Sequence, residues 1–234
     1  MKPERPPLPL LIAQLARDGT PVTPLPSPFV RWCMWTLVAV VAAAIVASLI
    51  GLRPALALYL RNSRFLIAAI VTGAVALTAA GGAFVLSVPG ASRDRVARAV
   101  PLLAIVAWGV LLWTRLREIG DPVAQIVATP WHPVCVALIL SISALPGIWL
   151  FGMLRRAAPL HTMWTGMLAA LATVALGALG TQFVCPIDAP AHQLVWHFTP
   201  VVVLTLPGIV LGARIFTWRR HSAGTFRRLP WFSS

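Results

Sequence analysis

Acidic side chains are nearly missing from this chain. Only Glu4, Asp18, Asp94, Glu118, Asp121 and Asp188 occur in 234 residues, and all six fall in tails or between long apolar runs. No Asp, Glu, Lys or His lies inside those runs, which excludes most ion-coupled pumps and transporters, since these need ionisable groups at membrane depth. Cysteine is scarce as well. The three present form no Cys-x-x-Cys pair, so the closely spaced dithiol usual in a thiol oxidoreductase is lacking. There is no gathered basic face either: the arginines are scattered over the ends of the apolar runs, which argues against a nucleic-acid surface. A cleavable signal peptide is not expected, because a proline-rich stretch from Pro3 to Pro28 precedes the first apolar run.

What remains is mostly hydrocarbon. Apolar residues make up 59% of the chain and the mean hydropathy is +0.84, so lipid is the solvent for most of it. Six stretches, residues 35–52, 65–88, 99–114, 133–154, 163–184 and 198–216, approach the roughly 20 residues needed to cross a bilayer. The first, TLVAVVAAAIVASLIGL, carries no charge and is anchored by Arg31, Trp32 and Trp35. The third, AVPLLAIVAWGVLLW, is short and would thin the bilayer or tilt little. The expected fold is all-α: an integral membrane bundle of six transmembrane helices with cytoplasmic N- and C-terminal tails. Its parts are a cytoplasmic N-terminal segment, 1–31, a transmembrane domain, 32–218, and a cytoplasmic C-terminal tail, 219–234.

Orientation rests on where the 19 Lys and Arg fall. Six spans place both termini and the 89–98 and 155–162 loops on one side, together with most of the basic residues. Only Arg53, Arg61, Arg64, Arg115 and Arg117 fall on the other. The positive-inside rule then makes both termini cytoplasmic, and the net charge of +13 is mainly a topology signal with attraction to anionic head groups.

Small residues mark helix contacts. Ala169, Thr173, Gly177 and Thr181 recur every four residues in the fifth span, and Gly208 and Gly212 in the sixth, letting neighbouring backbones approach closely. Pro146 and Pro207 should kink the fourth and sixth spans, each within a Leu-Pro-Gly-Ile string. Trp131-His132 and Trp196-His197 precede those strings, which raises the hypothesis of an ancient duplication.

Chemistry is concentrated at one end. Spans four and five should form an antiparallel hairpin whose outer ends carry Cys135 and Cys185. His132 lies three residues before Cys135, and His192 and His197 follow the Cys185-Pro186-Ile187-Asp188 turn. Two thiolates and two imidazoles suit a soft metal such as zinc, cadmium or copper(I), with Cys135, Cys185, His132 and His197 as the expected ligands. Three readings stand open at this point: a structural disulfide, a switchable thiol or metal sensor, or two unlinked buried cysteines. Cys33 lies at the opposite face, with packing as its expected role. Trp131 and Trp196 read as interfacial belt residues, and His161 and His221 as solvated.

In the N-terminal segment, Leu10, Leu11, Ile12 and Leu15 fit one short amphipathic helix ending near Gly19, suited to dock in a groove of a soluble protein or to lie on the membrane. The C-terminal tail reads as a basic, aromatic surface segment.

LIAQLARDGTPVTPL before the first span, WHPVC at the start of the fourth, the LRRAAPL loop and FVCPIDAPAHQLVWH together resemble the NrsF-type family of six-span bacterial inner-membrane anti-sigma factors, over about Leu10 to Arg220. The resemblance implies that the N-terminal segment holds an extracytoplasmic-function sigma factor inactive. It also implies that Cys135 and Cys185 match the family's paired outer-face cysteines, linked to an envelope metal or oxidative signal. Cys33 and the long C-terminal tail fall outside the matched pattern. The protein is then not an enzyme, has no obligatory cofactor beyond a soft metal ion as signal, and binds no nucleic acid directly. It would sit in the bacterial inner membrane, with the sigma factor and the bilayer as partners. The competing expectations are a membrane thiol-disulfide oxidoreductase and a small channel or scaffold.

Overall fold

The computed structural model describes residues 8–18, 24–91 and 94–216, and residues 27–217 form one compact unit. The described residues form helices joined by short connections, with no strand. Outside the compact unit, residues Leu8–Asp18 form one amphipathic helix, α1, as the leucine pattern predicts.

Six helices are long and apolar enough to span a membrane, which makes this a multi-pass membrane protein. They are α2 (Pro28–Ile50), α4 (Ser63–Leu86), α5 (Arg95–Ile119), α7 (Pro133–Ala157), α8 (Thr162–Val184) and a segmented sixth over Pro190–Ile215. The sixth comprises α9 (Pro190–Gln193), a π-helical turn (Leu194–Phe198), α10 (Thr199–Thr205) and α11 (Pro207–Ile215). Short helices α3 (Leu56–Tyr59) and α6 (Pro122–Val127) lie in the connections.

Helix starts follow local capping chemistry. Ser27 accepts a hydrogen bond from the Val30 amide, with Pro28 supplying the fixed φ of a first helical residue. Asn62 caps α4, and Asp94 caps α5 through the amides of Val96 and Ala97. The Asp94 cap starts the third span ahead of its apolar run, and the helix also continues past the run's far end. It covers 25 residues, carrying Arg115, Arg117 and Glu118 in its final turns.

The centre of the bundle is α8. It packs against α2, α4, α7, α10 and α11, and 72% of its apolar window is buried, against 17% for α5. Lipid tails are as apolar as leucine, so helices here gain little from leaving lipid and associate through close packing and hydrogen bonds. The sequence of α8 supplies both. A Cβ on Gly177 would overlap Ser143 and the Ile139 carbonyl of α7, and one on Gly166 would overlap Gly208 and Gly212 of α11. The Ser143 hydroxyl lies 2.6 Å from the Ile139 carbonyl and 2.9 Å from that of Thr173, tying α7 to α8. Gln182 donates to the Thr72 hydroxyl of α4 (2.9 Å), and the Trp35 indole of α2 donates to the Pro146 carbonyl of α7 (3.0 Å).

The two prolines behave differently. The helix α7 runs continuously through Pro146, whereas the sixth span divides at Leu206, before Pro207. Cys33 does not pack in the bundle. The inward face of α2 is Arg31, Trp35, Ala39 and Ala42, which turns Cys33 to the exposed side.

A candidate metal and thiol site at one end of the bundle

Cys135 and Cys185 meet where α7 begins and α8 ends. Pro133 opens α7, and Cys135 sits in its first turn, buried. Cys185 ends α8: its amide still donates to the Thr181 carbonyl, but its own backbone is already extended (φ −70°, ψ 125°). The thiols are not bonded to each other. Their sulfurs are 3.8 Å apart, so the structure holds the pair as free cysteines in contact.

Two histidines complete the cluster. His192 Nε2 lies 3.4 Å from each sulfur, and one donor atom from each of Cys135, Cys185, His192 and His197 falls within 4.8 Å of the others, all four residues being buried. His192 belongs to α9 and His197 to the π-helical turn, in which hydrogen bonds close five residues apart instead of four. That widening brings the imidazoles to 5.4 Å between ring centres. Neither ring nitrogen of His197 has a hydrogen-bond partner, nor does His192 Nδ1.

The donor set fits a tetrahedral soft metal. Two thiolates about 2.3 Å from one Zn2+ lie about 3.8 Å apart, and a thiolate and an imidazole nitrogen about 3.5 Å apart. The observed contacts of 3.8 and 3.4 Å are those edges. Unpartnered buried imidazole nitrogens cost free energy unless something binds them, and a cation would. The Cys185 thiol is held below its ordinary value, first by the hydrogen bond from Cys135, with His192 adding to it against burial, which raises it. A lowered thiol favours the thiolate, the form that binds metal and attacks oxidants.

Of the four ligands expected from sequence, Cys135, Cys185 and His197 come together and His132 does not. Proline disfavours a helical conformation in the residue before it, so Pro133 keeps His132 out of the turn that carries Cys135. His132 has φ −134° and sits with Nδ1 3.2 Å from the Pro130 carbonyl. Its ring packs edge-on against His192, which takes its place in the cluster. His192 reaches the cluster through the 186–189 turn and the short helix α9, an irregular path that no fixed ligand spacing encodes.

A small apolar shell surrounds the site. Trp196 is buried beside the cysteines with Val136, Ile187 and Val195, and its indole donates to the Pro130 carbonyl (3.0 Å). Trp131 stacks edge-on against it and is 80% exposed, in keeping with a belt residue; Trp196 instead closes the site. His161 is exposed, and His221 lies outside the described residues. Of the residues expected to bind a partner, Leu10 and Ile12 are exposed on α1, while the side chains of Leu11 and Leu15 lie outside the described ones.

Beyond its own geometry, the chain matches one family model, described as "NrsF: Negative regulator of sigma F", over residues 15–218. No curated protein and no solved structure matches it.

Proposed function

The chain belongs to the NrsF family of negative regulators of sigma F, and from that premise we propose that this membrane-bound anti-sigma factor releases its sigma factor when Cys135 and Cys185 meet a soft metal or an oxidant. The sigma factor is of the extracytoplasmic-function class and is held by the N-terminal segment, through Leu10, Leu11, Ile12 and Leu15 of α1. The protein lies in the bacterial inner membrane with both termini cytoplasmic, so the cysteine cluster faces the envelope. It catalyses no reaction.

The observation that carries this reading is the buried cluster of two sulfurs and two imidazoles within 4.8 Å. Moving a complex from mostly held to mostly released takes about 5.5 kcal/mol of differential binding. Soft-metal binding to four such donors is worth about 10–16 kcal/mol in small zinc peptides, which leaves ample surplus even if the site must adjust. Oxidation is the second input. The Cys185 thiolate attacks a peroxide oxygen and becomes a sulfenic acid as the other oxygen leaves as an alcohol or water; the Cys135 thiol then displaces water to form the disulfide. Oxidation draws the sulfurs at the ends of α7 and α8 from contact to bonding distance, a metal ion locks those ends at the spacing they already have, and the packed α7–α8 pair carries either change through the membrane.

The test uses full-length protein in lipid nanodiscs with the sigma factor bound. Cd2+ or a peroxide should release the sigma factor from the unmodified protein and leave it bound to the Cys135→Ser, Cys185→Ser double variant. Deleting residues 1–28 should abolish capture from the start. Release from the double variant by both agents would sink the sensing part, and capture by the truncated chain would sink the tail assignment.

A further inference from the structure

Arg53 is an unusual residue for a connection between membrane helices. It is 4% exposed, although it lies two residues past Gly51, where a φ of +109° turns the chain out of α2. The turn sends Arg53 to the end of α8. Its amide donates to the Phe183 carbonyl (2.9 Å), and its Nη1 to the Gln182 carbonyl (3.3 Å). These belong to the last carbonyls of a helix, which have no partner within it. Pro186, just past Cys185, has no amide to return to them. A cation at this helix end is also favoured by the macrodipole.

The same guanidinium reaches past Cys185. Its Nη2 donates to the Pro186 carbonyl (3.3 Å) and Nη1 pairs with Asp188 Oδ1 (3.5 Å). Asp188 in turn accepts from Gln193 Nε2 (3.1 Å), the residue next to His192. The guanidinium carbon sits 3.5 Å from the centre of the Tyr59 ring, which fixes its plane. Arg53 therefore holds the chain on both sides of Cys185 and, through Asp188 and Gln193, the helix that carries His192.

We propose that Arg53 is a positioning residue for the metal and thiol site: through Asp188 it sets the separation of Cys185 from His192 and so tunes the affinity for a soft cation. This rests on the metal reading above. The lever is geometric, because the fork of donors on an arginine reaches two carbonyls and a carboxylate at once, which a lysine cannot. Partners of this kind, one layer out from the ligands, typically change metal affinity 10–100-fold when removed.

The experiment is a Cd2+ titration of the full chain in nanodiscs, read by the thiolate charge-transfer band against a competing chelator. Arg53→Gln and Asp188→Asn should weaken Cd2+ binding roughly 10–100-fold, with Arg53→Lys intermediate, while the band at saturation keeps its position because the donors are unchanged. Arg64→Gln is the control: Arg64 belongs to an exposed pair with Glu118 (3.7 Å), and its loss should change affinity by less than about threefold. A second readout, the rate at which an added oxidant links Cys135 to Cys185 in metal-free protein, should fall in the Arg53 and Asp188 variants. If the unmodified protein shows no Cd2+ band, the metal reading fails, and the cross-linking rate alone decides on Arg53. Arg53→Gln and Asp188→Asn proteins that bind Cd2+ and cross-link like the parent would overturn the proposal. Should Arg53→Gln fail to fold, Arg53→Lys and Asp188→Asn carry the test.

Discussion

The bundle has two buried regions, and they solve opposite problems. Around α8, the interior is made from Ala, Gly, Leu and a few hydroxyls whose hydrogen bonds return to backbone carbonyls, as with Thr181 to Gly177 and Thr205 to Val201. At the cysteine end, Cys135, Cys185 and Trp196 form a separate small cluster in which heteroatoms face one another and imidazole nitrogens lack partners. The first region satisfies most of its polar groups internally, with Thr165 Oγ1, Gln182 Oε1 and Trp108 Nε1 as exceptions. The second leaves its buried imidazole nitrogens unpartnered, and the proposed metal site rests on that contrast.

The strongest way to break the comparison is to overfill the region around α8. Gly166→Leu would drive a side chain into the Gly208 and Gly212 backbone, and should cost about 3 kcal/mol or more, measured by thermal unfolding in detergent. A variant as stable as its parent would show that this contact is not tight. Next in size is the Cys135→Ser, Cys185→Ser pair, which should lose about 1–2 kcal/mol from poorly matched buried hydroxyls yet lose all Cd2+ binding. His197→Leu sharpens the contrast further, because its effect should change sign. Without metal it removes an unpartnered buried imidazole and should leave stability unchanged or raise it by about 1 kcal/mol; with Cd2+ present it should be the less stable protein. Two unfolding scans, with and without the ion, decide the matter. The smallest effect belongs to His132→Ala, which should stay within about 0.5 kcal/mol of the parent. Its Cd2+ affinity should also match the parent's, and a large loss would return His132 to the ligand set.

Much of this architecture is legible in the sequence for a simple reason: in lipid every backbone group must be satisfied within the segment, so a long apolar run has only one regular solution. The six spans follow from that rule, and the close helix contacts of the fifth and sixth follow from their small residues; that the fifth sits at the centre comes from the packing. Helix ends are less legible. The apolar run of the third span stops before Arg115, yet the helix continues to Ile119 because charged residues at its far end can reach water, and the Asp94 cap starts it ahead of the run. The site was half visible. Cys135, Cys185 and His197 are identifiable as soft-metal donors at one end of neighbouring spans, but the exchange of His132 for His192 turns on local backbone effects, the bar imposed by Pro133 and the turn into α9 that follows Cys185. Arg53 counts against the charge rule for orientation, and its burial against α8 gives it a structural reason to be where it is.

The seclusion of α8 bears on what kind of stimulus reaches Cys185. A change in bilayer thickness or lateral tension acts on a helix through the hydrocarbon that wets it, by tilting it or by sliding it along the normal. Five helices or helical segments stand between α8 and that force, whereas α5 meets it along most of its length. A thiol at the tip of the most sheltered helix is thus insulated from membrane mechanics, so the sensing proposed for it is of solutes arriving from the aqueous side.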